Sequence, residues 1–499
     1  MKHFERRDTE GISPRLLPLF AAFGLVAPMA LAGSQPLANP IIEEADEEEE
    51  ADVWTAIMGG DIVTGTGEML RGATLLSKNG KIEEIGYDLF IPEEAEIHDV
   101  SGLRLYPGMV ALSASSRITQ GTLAPDNPDR FVDLTSTDGE DWDTEDWDNE
   151  DWNEDWAPEG AAAVADEDKG IIDDYDPFSP FMTLALGAGI TTVEQSGNAV
   201  KLRTDSIEDV LIAEGNLSNF SYSSGDARRR AREDFARAAE YLRALRAFEA
   251  KGDKDAEEPD KKGVNSGALK VLKGETRAKF NASSREELLG IARLAQTYGF
   301  RPIIEGAREG WTVADELGRA GATIMLVPRE RRGKENSLLN AEGGSSIENA
   351  AKLYAAGCQI AVQPLSGAID LGGIAGRDLI HLMIEAGFAV RGGLSETAAL
   401  QAVTIIPARV LGCDHRVGTL EVGKDADVIV TDGDLLHYET FVQLAFVAGE
   451  LAYDKSNELF YAHIRPLPEA EDSDADAETG DAEGTETPND EAQEAGDGE

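Results

Sequence analysis

Cysteine and histidine are scarce in this chain: its 499 residues include 2 Cys and 6 His. Two cysteines, Cys358 and Cys413, exclude a disulfide framework and leave open either one bridge or two unpaired core residues. No two histidines stand as His-x-His, so a closely spaced imidazole pair for a metal is missing. Beyond residue 32 no apolar run is long enough to span a bilayer. Positive charge is absent from three segments. Residues 43–52 carry 8 acidic side chains, 138–155 carry 11 and 469–499 carry 14, and none of the three contains Lys or Arg. They supply most of a net charge of -50. Such a field repels nucleic acid and anionic membrane surfaces, which argues against nucleic-acid binding.

What is present suits a large globular protein. Apolar residues make up 41% of the chain, and the length fits one barrel with a satellite domain. Residues 1–32 read as an export signal: Lys2, Arg6, Arg7 and Arg15, an apolar stretch from Leu16 to Ala32, and Ala30-Leu31-Ala32 as a small-x-small cleavage site. Pro18, Pro28 and the polar residues that follow favour cleavage over a retained anchor. The expected location is therefore periplasmic or extracellular, with no membrane span after cleavage.

Residues 33–52 read as an acidic linker, and residues 53–106 as a small β unit. Its strands fall at Ile57, Ile62-Val63, Ala73 to Leu76 and Ile82 to Ile85, with Asn79-Gly80 as a hairpin turn. From about 107 to 415 short apolar strands alternate with helical stretches. Ile190 to Val193, Arg301 to Ile304, Thr323 to Val327 and Gln359 to Val362 are strands; Glu286 to Tyr298, Thr312 to Ala320, Ser346 to Ala356 and Gly376 to Ala386 are helices. Alternation of this kind predicts parallel βαβ units and, at this length, an α/β fold of the (β/α)₈ TIM-barrel type. Asp226 to Ala250 is a helix with Phe235, Ala238, Leu242 and Leu245 on one face. Its seven arginines between Arg228 and Arg246 read as a solvated outer face rather than an anion site. Residues 416–465 return strands to the N-terminal β unit, giving a composite β-sandwich, and 466–499 form an acidic tail expected to be disordered.

The insertion 138–156 is an internal repeat of Glu-Asp-Trp units centred on Trp142, Trp147, Trp152 and Trp156. Its carboxylates suit weak oxygen ligation of divalent cations, and its tryptophans suit a protein or carbohydrate surface. A solvated, disordered loop is the plainer expectation.

Both ends of the barrel region resemble the amidohydrolase superfamily, imidazolonepropionase-like members in particular. Gly59 to Gly65, Asn79 to Gly86, Asp99 to Gly102 and Tyr106 to Val110 match its opening. Ala399 to Thr404, Pro407 to Gly412 and Gly418 to Asp427 match its close. The resemblance implies a barrel mouth holding one or two divalent metals on a His-x-His pair, two later histidines, an Asp and sometimes a modified Lys. The metal would activate water for attack on a carbon–nitrogen bond other than a peptide bond. At the corresponding positions this chain has Ser113 and Ser115, Asn281, Gly306 next to Glu305, and Gln363-Pro364 where the Asp is expected; Asp370 comes too late. Lys270 or Lys273 is the candidate for the lysine. Ser, Asn and Gly are poor zinc ligands, so no metal or other cofactor is expected unless the family's chemistry is retained.

Three functions follow. The first is an exported binding protein for a small molecule or a protein partner, a pseudoenzyme with its metal site lost. The second is a hydrolase of non-peptide carbon–nitrogen bonds working through Ser113, Ser115, Asn281, Glu305 and the lysines. The third makes the Trp-rich insertion the functional element, with the barrel as its carrier.

Overall fold

A computed structural model describes residues 52–112, 114, 117–120, 171–204, 206–251, 259–331, 343–364 and 377–457. The expected export signal, most of the acidic linker, the 138–156 insertion, Ser113, Ser115, Asp370 and the acidic tail lie outside the described residues. The described residues belong to one compact unit, Asp52–Glu499.

The chain opens with β1 (Trp54–Val63), β2 (Met69–Lys78), β3 (Lys81–Gly86), β4 (Glu96–Asp99) and β5 (Arg104–Pro107). Asn79 and Gly80 join β2 to β3 with φ of 48° and 79°, the left-handed pair that a two-residue hairpin turn requires. β1 pairs with β4 through Thr55–Met58 and with β5 through Asp61–Ile62, and its pairing with β2 shifts register between Ile57 and Ile62. Such irregularities bend a strand, and β1 pairs with β2 along one edge and with β4 and then β5 along the other.

The barrel begins with β6 (Met109–Ala111), α1 (Arg117–Gln120), α2 (Pro180–Gly187) and β7 (Ile190–Gln195). A side hairpin follows, β8 (Asn198–Lys201) and β9 (Leu211–Ala213). Next come β10 (Leu217–Ser221), α3 (Gly225–Lys251), α4 (Ser266–Lys273), β11 (Arg277–Ala282), α5 (Arg285–Tyr298), β12 (Ile303–Gly306), α6 (Ala314–Arg319), β13 (Thr323–Leu326), α7 (Asn349–Ala355) and β14 (Gln359–Val362). The chain closes with α8 (Arg377–Arg391), α9 (Glu396–Gln401), α10 (Ile405–Leu411), β15 (Val428–Thr431), β16 (Val442–Val447) and β17 (Glu450–Asp454).

β10 to β14 form a parallel array, and β6 pairs parallel with β7. The segment between α9 and α10 links these arrays: Val362 N donates to the Ala402 carbonyl and Val110 N to the Val403 carbonyl, both at 2.9 Å. The architecture is the (β/α)₈ TIM type, with helices returning the chain between parallel strands. α5 shows how local chemistry sets the boundaries. Ser284 and Glu287 form a reciprocal capping box at its start, and Gly299 ends it in the left-handed region. α3 docks on the array through aromatic rings, Phe235 lying 5.0 Å from Phe220 of β10 and 4.7 Å from Phe300.

Side chains alternate along the strands. Phe280, Ile304, Ile324 and Ile360 join the large cluster beneath the helices. Ile303, Met325 and Ala361 face the other way and pack with Val110, Leu112 and Ile405 inside the barrel. Cys358 and Cys413 are both buried and unbridged, and burial pushes each thiol up to about 12. They are small core residues.

The composite β domain ties the two ends of the chain together. β15 inserts between β5 and β16 in an eight-stranded sheet. Beside it, the buried Lys201 ammonium lies 2.7 Å from Asp425 and 2.8 Å from Asp427. Lys81 and Arg416 also reach Asp425, and Arg416 pairs with Asp209. Lys201 ends β8, opposite Thr192 near the start of β7, so this network belongs to the N-terminal end of the barrel strands.

Candidate functional site

In barrels of this type the chemistry belongs at the C-terminal ends of the strands. Register identifies what points inward there. Lys279 lies opposite Ile303, Asn281 opposite Glu305, and Glu305 opposite Met325. Ile303 and Met325 belong to the interior cluster, so Lys279, Asn281 and Glu305 share its face. Gln363, two residues beyond Ala361, follows the same alternation. An apolar floor therefore carries a polar layer.

Within that layer the groups meet. Lys279 Nζ lies 3.0 Å from Glu305 Oε2, with side chains 16% and 23% exposed. The buried Gln363 donates through Nε2 to the other oxygen, Oε1, at 3.3 Å. Asn281, one residue before the end of its strand, is exposed to solvent. Gly306 has φ +95°, and a Cβ there would lie 2.8 Å from Ser283 Oγ. The backbone thus disfavours any side chain, an imidazole included, at this ligand position. Outside the layer, Arg308 pairs with Glu330 at 3.4 Å. Arg329 donates from its backbone to the fully buried Glu385 at 3.1 Å, and its guanidinium lies 5.0 Å from the Phe388 ring centre.

Several expectations change. Lys270 and Lys273 lie on α4, exposed on a helix, and do not enter the barrel. The interior lysine is Lys279, two residues before Asn281 and therefore on its face, a signal that alternation alone carries. Gln363 is a partner of Glu305 rather than a mere replacement. His98 packs edge-on against Phe446 in the β domain, and His415 and His437 are exposed.

Among the described residues the donor set at this layer does not fit a transition-metal centre. Its groups are an ammonium, one carboxylate already paired to it, two amides and a glycine, whereas zinc takes imidazole, thiolate and carboxylate. Among the described residues, no three of His, Cys, Asp and Glu come together in a group able to hold a metal ion. What the arrangement offers is a fixed positive and a fixed negative group side by side.

A separate cleft of about 300 Å³ is lined by Thr66, Gln401, Arg409, Asp414, Glu421 and Lys424, among others. It lies at the opposite end of the barrel, because Arg277 at the start of β11 donates to the Arg409 carbonyl. Among the described residues no helix is long and apolar enough to cross a membrane.

Comparison with known proteins agrees with this architecture. An amidohydrolase from Thermotoga maritima MSB8 superposes with a TM-score of 0.56 at 21% identity, over 80% of this chain and 100% of that one. Sequence similarity to curated proteins is local. N-acetylglucosamine-6-phosphate deacetylase of Danio rerio is 47% identical over 55 residues, 11% of this chain and 14% of that protein. The amidohydrolase tasK of Hapsidospora irregularis is 34% identical over 85 residues, 17% of this chain and 9% of that one. The matched stretches thus span only a small part of these relatives. The model of the amidohydrolase family matches residues 178–457, more than half of the chain. Barrel, composite β domain and family match agree, and the chain belongs to the amidohydrolase family.

Proposed function

We propose that this chain is an exported amidohydrolase-family protein that binds a small ligand at its barrel mouth and does not use a metal to hydrolyse it. The observation carrying this reading is the Lys279–Glu305 pair. It sets an ammonium in the polar layer where the family would place a metal, and it commits the nearest carboxylate. A divalent cation there would face the lysine's charge at close range. The exported location rests on the basic and apolar pattern of residues 1–32.

Elemental analysis of the purified full chain tests the proposal. We expect substoichiometric zinc, iron and manganese, and no turnover of cyclic amides or N-acetylated sugars. Stoichiometric metal that survives deletion of residues 138–156, and that is lost in Glu305→Gln, would overturn it. Fractionation of the producing cells tests export, with the mature chain expected to begin near Gly33.

A second reading, hydrolysis of non-peptide carbon–nitrogen bonds through an atypical site, is favoured by family membership. In that case Glu305 would take a proton beside Lys279, and metal-free protein would hydrolyse a cyclic amide in a manner abolished by Glu305→Gln.

A further inference from the structure

We infer that the Lys279–Glu305 pair recognises a zwitterionic α-amino acid, with the ligand carboxylate on Lys279 Nζ and the ligand ammonium on Glu305. This rests on the mouth being a binding site and names what that site takes.

The argument starts from unused bonding capacity. An ammonium has three donors and an ionised carboxylate about four acceptor positions. Glu305 occupies one donor of Lys279, and Lys279 and Gln363 each occupy one position on Glu305. Both groups are mostly withdrawn from water but not sealed, so a ligand reaching them meets two partly desolvated charges 3.0 Å apart. Among the described residues following β12 and β13, Arg308 and Arg329 are each matched by a glutamate.

A simple anion would be drawn to Lys279 but repelled by Glu305 and by a chain of net charge -50. A simple cation would be repelled by Lys279. A ligand carrying both charges on one carbon, about 3 Å apart by covalent geometry, lies antiparallel to the pair and satisfies both groups without changing the net charge of the cup. The exposed Asn281 amide adds a neutral donor and acceptor at the rim. Ile303, Met325 and Ala361 are buried beneath the pair and set no preference for the ligand's side chain, so L-leucine serves as a representative α-amino acid.

Isothermal titration of the full-length, metal-analysed protein decides the matter, using L-leucine and its two halves, isocaproate and isoamylamine. We expect L-leucine to bind and each half to bind at least about tenfold more weakly. Lys279→Gln and Glu305→Gln should each weaken leucine by a similar factor. Because a single substitution leaves a charge unpaired, the double variant Lys279→Gln/Glu305→Gln serves as the folded control; it should keep the unfolding midpoint and lose binding. Equal binding by either half, wild-type affinity in the double variant, or no leucine binding at millimolar concentration would overturn the inference. Metal-free protein that ignores leucine sinks this inference alone, whereas a metal held in the cup sinks the reading beneath it.

Discussion

Lys201 has a side chain only 1% exposed, and its ammonium lies between two aspartates that are themselves buried. Burial alone would raise the Asp425 pKa, but Lys201, Lys81 and Arg416 outweigh it and hold the carboxyl down from 3.8 to about 2. A carboxyl held below its unfolded value stabilises the fold in full above that value and loses the contribution as pH falls through the folded one. The window therefore runs from about pH 4 down to about 2, and the contribution at neutral pH is roughly 2 kcal/mol. Replacing Lys201 by Met leaves both carboxylates without their shared cation, which costs about 3–5 kcal/mol. Urea unfolding of wild type and Lys201→Met at neutral pH and at pH values across that window measures both effects. The variant should be much less stable at neutral pH and should show a shallower acid loss. Nothing in the sequence marks this residue, because Lys201 and Asp427 are 226 positions apart and only the folded sheet joins them.

Among the elements, α6 meets α7 so closely that one atom decides the fit. A Cβ on Gly318 would lie 1.9 Å from the Ala356 carbonyl oxygen, and that atom is backbone. Gly225, at the start of α3, has nothing within 4 Å of the same construction. Gly318→Ala should cost about 1–3 kcal/mol by forcing the helices apart, whereas Gly225→Ala should be neutral or slightly stabilising, by up to about 1 kcal/mol. Chemical unfolding of the two variants side by side checks the contrast. Elements of this kind were legible where local chemistry dictates them. Asn79-Gly80 marks its turn, and the apolar run Gln359 to Val362 is β14. β11 was harder to read. Its sequence Arg277–Ala282 alternates polar residues toward the cup with apolar ones toward the helices, and Phe280-Asn281-Ala282 alone hides the lysine one step earlier. Arg301 and Pro302 precede β12 rather than forming it, since proline supplies no N–H to a ladder.

For the molecule as a whole, the chain ends depend on each other. β15 is an interior strand flanked by β5 and β16, so the N-terminal strands are completed only after more than 300 further residues have been made. Ending the chain after Gly412 removes β15 to β17 together with Asp425 and Asp427, and strips Lys201 of its partners. That truncation should yield insoluble or rapidly proteolysed protein. Ending it after Arg465 should leave the thermal midpoint within a few degrees of the full chain, with scanning calorimetry as the check. The family was readable from the two terminal motifs, which fall in the N-terminal strands and in the α9–α10 segment and loop leading into β15, and the barrel from the alternation of strands and helices between them. The character of the cup was not, because it depends on which side chains three separate strands turn toward one another.

The Lys201 network and the Lys279–Glu305 pair stand at opposite poles of the barrel. The buried structural network and the polar pair of the cup are thereby built from different residues. If the cup is the binding site proposed above, replacements around it would alter recognition without loosening the clasp at the far end, and a scaffold so divided would be free to exchange one kind of reactivity for another while keeping its shape.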